Sequence, residues 1–87
     1  MQGRQQLSNE ISQGITIDPA VMDGKPVIKG TRIPVDLILE KLSANRSVDE
    51  LLSDYPELNI DQVKDCLRYA ALTVEKKRKL RKHMIPW

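Results

Sequence analysis

Ser47–Ala71, SVDELLSDYPELNIDQVKDCLRYAA, decides the fold, because it holds two helix starts and one helix stop. Ser47 with Glu50 forms a capping box: the hydroxyl accepts the backbone N–H of the third helical residue, and the carboxylate reaches back to the cap's own N–H. Val48, Leu51 and Leu52 recur at i, i+3 and i+4, and Tyr55 carries that apolar stripe one turn further. Pro56 stops the helix, since the residue before a proline is driven out of the α region. Asn59 reads as the N-cap of the next helix, with Gln62 as its capping-box partner. Along that helix Ile60, Val63, Leu67, Ala70, Ala71 and Val74 are expected to share the buried face. Asp61, Gln62, Lys64, Asp65, Arg68 and Tyr69 are expected to fall mostly outside it. Two helices across a short turn outline a helix-turn-helix.

Upstream, Thr31-Arg32-Ile33-Pro34 opens a first helix, with Pro34 expected at N1, where a missing N–H costs nothing, and Asp36 near the positive helix end. Val35, Ile38, Leu39 and Leu42 form its stripe, and Asn45 and Arg46 are its exit. Three helices are therefore expected, over 34–44, 48–55 and 60–80. Ahead of them Ile15-Thr16-Ile17 alternates as a short half-buried strand does, and Asp18-Pro19 ends it. Gly24-Lys25-Pro26 is turn chemistry, and β-branched Val27-Ile28 suggests a second strand. Such a pair is marginal alone, so it needs the helices or a second copy of the chain, and symmetric pairing of these arms is a route to a homodimer. The fold class expected is mainly α: a homeodomain-like, three-helix helix-turn-helix with a short N-terminal β-hairpin or β-arm. Residues 1–14 read as a flexible lead-in, with at most one helical turn around Leu7 to Ile11. Residues 15–74 read as the domain and 75–87 as a basic tail.

At 87 residues the chain is limited to one domain with a small core, and with no phenylalanine the burial is aliphatic. Tyr55, Tyr69 and Trp87 are its aromatics, too few for a single-strand stacking platform. Cys66 is alone, which excludes an internal disulfide and a cysteine-cluster zinc site, and it reads as a small core residue. No long apolar run and no signal-peptide segment are present, so a cytoplasmic protein is expected. The net charge of +2 hides a division: residues 74–87 hold six bases against Glu75, 6 − 1 = +5, leaving 8 − 11 = −3 for residues 1–73. An anionic partner would meet the C-terminal end first.

Enzyme signatures are absent from the pattern. The glycines around Gly24-Lys25 and Gly30-Thr31 do not match the spacing of a phosphate-binding loop. The carboxylate pairs Asp49/Glu50 and Asp61/Asp65 lie in first helical turns, where acids suit the macrodipole. His83 is the single histidine and has no acid nearby to orient it. No metal, cofactor or small-molecule substrate is expected. For DNA, the exposed residues at the start of the third helix would meet the major groove, with Gln62, Lys64 and Arg68 as candidates and Thr31 and Arg32 as phosphate contacts. Arg32 has an alternative use in pairing with a helix acid, and Asp61 and Asp65 would repel the DNA backbone. The tail ends in Met84-Ile85-Pro86-Trp87, a basic arm with an apolar anchor of the kind that folds on a partner.

Ile17-Asp18-Pro19, the run Gly24-Lys-Pro-Val-Ile-Lys-Gly-Thr-Arg-Ile-Pro-Val35, Ser47-x-x-Glu-Leu-Leu-x-x-Tyr-Pro56 and Leu58-x-x-x-x-Val63 together resemble the domain of unknown function 433 family. The resemblance covers residues 15 to about 72. It implies a homeodomain-like helix-turn-helix and a VapB-like antitoxin role in type II toxin–antitoxin pairs, with a PIN-like ribonuclease toxin as partner. Such a nuclease holds metal with clustered acids, so Arg78, Lys79, Arg81 and Lys82, anchored by Trp87, would be the toxin-binding residues. Residues 73–87 lie outside the family pattern. The expected function is an antitoxin that neutralises the nuclease and, as a homodimer, binds its own operator DNA. The alternative is a protein–protein adaptor that does not bind DNA.

Overall fold

The computed structural model describes residues 9–84, and the side chains of residues 10–80. Among them, strands β1 (Asn9–Ser12), β2 (Ile15–Ile17) and β3 (Val27–Ile28) precede helices α1 (Val35–Ser43), α2 (Val48–Asp54) and α3 (Ile60–Met84). The mainly helical class expected from the pattern is the one observed. The strands form one antiparallel sheet in the order β1-β2-β3, with Ile15 opposite Ile28 and Thr16 opposite Val27.

The sheet has one strand more than expected. Asn9–Ser12 is extended, where the sequence suggested a helical turn around Leu7 to Ile11; Leu7 itself lies outside the described residues. β1 pairs with β2 through a bulge between Glu10 and Ser12. Gly14, at φ +76°, makes the turn, and the Glu10 carboxylate closes it by accepting the Gly14 N–H (2.9 Å) and the Lys29 ammonium (3.0 Å). Those contacts, the backbone N–H foremost, hold the Glu10 carboxyl below the usual carboxylate range.

The glycine-rich run that follows is a connector. The Ile28 N–H donates to the Ile33 carbonyl (3.0 Å), Val27 bridges to Pro34, and the Val35 N–H donates to the Pro26 carbonyl (3.0 Å). β3 is thus folded back against the start of α1. Gly30, at φ +81°, turns the corner as only glycine does without strain. Pro34 is the N-cap of α1 with extended backbone (φ −71°, ψ 146°), not its first helical residue, because its place in this bridge holds it extended.

α1 ends in a Schellman motif: the Arg46 N–H donates to the Lys41 carbonyl (3.2 Å), the Asn45 N–H to the Leu42 carbonyl (3.3 Å), and Asn45 sits at φ +68°. α2 starts on the expected capping box, with Ser47 Oγ accepting the Glu50 N–H (3.0 Å) and Glu50 Oε1 accepting the Ser47 N–H (2.9 Å). α3 starts on the same device from Asn59 and Gln62 (3.0 and 2.8 Å). Ile15, Ile28, Ile33, Val35, Ile38, Leu51, Leu58, Val63 and Cys66 form one core, with Leu39, Leu42, Leu52, Tyr55 and Tyr69 packed around it.

The buried face of α3 differs from expectation. Val63 and Cys66 are its buried positions, and Tyr69, expected outside, packs against the core. Ile60, Leu67, Ala71 and Val74, expected inside, are exposed. The body underneath meets α3 along a narrow strip, so only residues near 63, 66, 69 and 73 point at it.

Candidate interaction surface

The capping boxes of α2 and α3 commit side-chain oxygens of Ser47, Glu50, Asn59 and Gln62 to backbone N–H groups. The Gln62 carbonyl oxygen is engaged by the Asn59 N–H, which ties this expected DNA contact to the start of α3. At about 100° per residue, Gln62 points roughly 120–160° away from Lys64 and Arg68, so the three do not share a face. Lys64 and Arg68 do share one, at i and i+4, and both are exposed. Arg68 Nη1 donates to Asp65 Oδ1 at 2.8 Å, so part of its charge is met within the helix. Asp61 is exposed one turn ahead. The start of α3 is therefore mixed in sign.

Thr31 is also committed internally. Its Oγ1 donates to the Ile28 carbonyl (2.8 Å) and accepts the Ile33 N–H (3.0 Å), and its N–H donates to the Ile28 carbonyl as well (2.9 Å). Arg32 stands exposed on the corner that Thr31 locks, and among the described residues it takes part in no ion pair. The structure thus sets Arg32 on the β3–α1 connector and Lys64 with Arg68 on α3.

The second half of α3 is exposed from Val74 to Leu80. Lys76, Lys77, Arg78 and Lys79 are all exposed, and Glu75 bridges Arg78 (3.0 Å) and, more loosely, Lys79 (3.9 Å). Arg81 and Lys82 belong to α3, but their side chains lie outside the described residues, as does Trp87. On one side this half of the helix forms, with β1, an open groove of about 710 Å³ lined by Ile11, Ser12, Tyr69, Leu72, Thr73, Glu75, Lys76 and Lys79. The sequence did not disclose this groove, because β1 itself carries no strand signature.

Cys66 is fully buried, and burial, with the Asp65 charge beside it, pushes its thiol up to about 11, far from a nucleophilic thiolate. Among the described residues no group of three or more His, Cys, Asp and Glu is placed to hold a metal ion. No helix among them is long and apolar enough to cross a membrane.

Similar proteins fit this fold. A solved structure of a DUF433 member protein from Anabaena variabilis ATCC 29413 superposes with a TM-score of 0.67 at 29% identity, over 76% of this chain and 65% of that one. The "Uncharacterized protein y4eO" of Sinorhizobium fredii (strain NBRC 101917 / NGR234) is 32% identical over 56 residues, which is 64% of this chain and 25% of that protein. The chain thus spans only about a quarter of that relative and just under two thirds of the solved one. The model of the family described as "Protein of unknown function (DUF433)" matches residues 15–70, from β2 into the middle of α3 and through the whole connector. The chain belongs to the DUF433 family.

Proposed function

We propose that this protein is a non-enzymatic binding module, an antitoxin-type regulator that holds an acidic nuclease through the basic half of α3 and, as a homodimer, contacts its operator DNA. The observation that supports it best is the continuation of α3 past the core. A helix that runs to Met84 with Lys76, Lys77, Arg78 and Lys79 in water contributes little to a core it no longer touches. Its use is charge presented on a rigid rod, which matches the clustered carboxylates of a metal-dependent PIN-like nuclease. The family match covers residues 15–70, so this rod lies outside the matched segment.

For DNA, Lys64, Arg68 and Arg32 are the contacts this reading uses. Asp61 and the Asp65–Arg68 pair favour phosphate contact by the flank of α3 over insertion of its N-terminus into a groove. The same acids favour the second reading, an adaptor that inhibits its partner without touching DNA.

Two assays test the proposal. Binding of the adjacent reading frame's product is expected to fall at least about tenfold when Lys76, Lys77, Arg78 and Lys79 are changed together to alanine; unchanged affinity removes the rod from the mechanism. In gel shifts on the upstream region at two salt concentrations, Lys64→Ala and Arg68→Ala are each expected to weaken binding and flatten its salt dependence. No shift by the native protein would leave the adaptor.

A further inference from the structure

Four apolar side chains of α3 face solvent in one row. Ile60, Leu67 and Val74 are 43%, 48% and 67% exposed, and the small Ala71 is exposed between the last two. At 3.6 residues per turn all four lie within an arc of about 60°, along roughly 21 Å of helix. The spacing of seven from Ile60 to Leu67 and from Leu67 to Val74 is that of a helix–helix seam.

The two ends of this row carry opposite charge. Glu57 and Asp61 are exposed at its start; Lys77 and Arg78 are exposed just past its end, where Glu75 pairs with Arg78 and leaves Lys77 without a partner among the described residues. In one chain these ends cannot meet, because a helix of 25 residues, about 37 Å long, holds them apart.

We propose that a second copy of this chain docks on this row, its α3 antiparallel to the first across a two-fold axis. Turned end for end, Lys77 and Arg78 come level with the other copy's Glu57, each basic end is brought near the other copy's acidic end, and the helix macrodipoles oppose; a parallel pairing would set like charge against like. Leu67 is seven residues from each end of the row, so the axis passes beside it: Leu67 meets the partner's Leu67 and Ile60 meets the partner's Val74. Arg68, near the axis, is already met by Asp65. Lys76 and Lys79 line the groove side and stay outside the seam. Lys64 and Arg68 lie on its rim, both copies' pairs along one side, where an anion reaches them. Edge-to-edge strand pairing is the weaker geometry, because the bulge at Ile11 breaks the short free edge of β1.

The inference rests on the dimeric part of the proposed function and not on its DNA or nuclease contacts. Sedimentation equilibrium on the full chain tests it with three variants: Leu67→Asp, the acid reversal Glu57→Lys with Asp61→Lys, and the base reversal Lys77→Glu with Arg78→Glu. The native chain is expected to be a dimer. Each variant alone is expected to raise the dimer dissociation constant at least about tenfold with its helical circular dichroism kept. An equimolar mixture of the two reversals restores dimers, because each acidic end again faces a basic one. A native monomer would sink the dimeric reading and this interface together. A native dimer that Leu67→Asp leaves intact would sink the interface alone, and reversals that fail to rescue each other would sink the antiparallel arrangement.

Discussion

Cys66 illustrates how one residue's surroundings decide its chemistry. Buried against the core with Asp65 at its side, the thiol keeps its proton to about pH 11, while in the unfolded chain it loses it near the ordinary thiol value of 9.0. Above pH 9 the unfolded state therefore binds fewer protons than the native one, and stability falls until about pH 11. The expected loss is about 2–3 kcal/mol across that window. Denaturant midpoints at pH 8 and pH 10.5 check this by comparing the chain with Cys66→Ala, whose stability should fall less over the same interval; equal falls would mean that the thiol ionises alike in both states. The burial of Cys66 was legible in the sequence as the ordinary behaviour of a lone cysteine. The internal use of the Thr31 hydroxyl was not, because a threonine before a helix reads the same whether it caps a turn or awaits a phosphate.

At the scale of elements, the polar caps were readable and the docking of one element on another was not. Ser47/Glu50 and Asn59/Gln62 are local devices, so four residues of sequence contain all that is needed to see them. β1 escaped because an exposed edge strand with a bulge shows no alternation. The reach of α3's apolar residues escaped for a related reason: an uncovered stripe and a covered one share one period. The hairpin of β1 and β2 meets α3 at Gly14, where an added Cβ would stand 2.9 Å from Asp65 Cγ, at a φ of +76° that favours glycine. Gly14→Ala is expected to destabilise by about 1–3 kcal/mol. A thermal or denaturant melt measures it, and a change within about 0.5 kcal/mol would mean that the hairpin does not rest on α3 as described.

The whole molecule is a small body with one helix too long for it. The core uses α1, α2, the sheet and the first half of α3, and the family signature from Gly24 to Val35 builds the corner that turns β3 into α1. The glycines and prolines of that run serve the turn and the bridge, and α3 carries the exposed surface on which the proposed recognition rests: an apolar row, a mixed-charge flank and a basic end. The charge division of the chain was plain from the sequence; that the basic half continues as helix was legible only as far as residue 80.

The most direct measurement is an amide-resolved NMR titration of the full chain with a duplex from its upstream region at low and moderate salt. The account predicts shift changes clustered on the α3 flank around Lys64 and Arg68, and at Arg32 on the β3–α1 connector, weakening as salt rises. Changes confined to the sheet or to α2, with α3 silent, would contradict it.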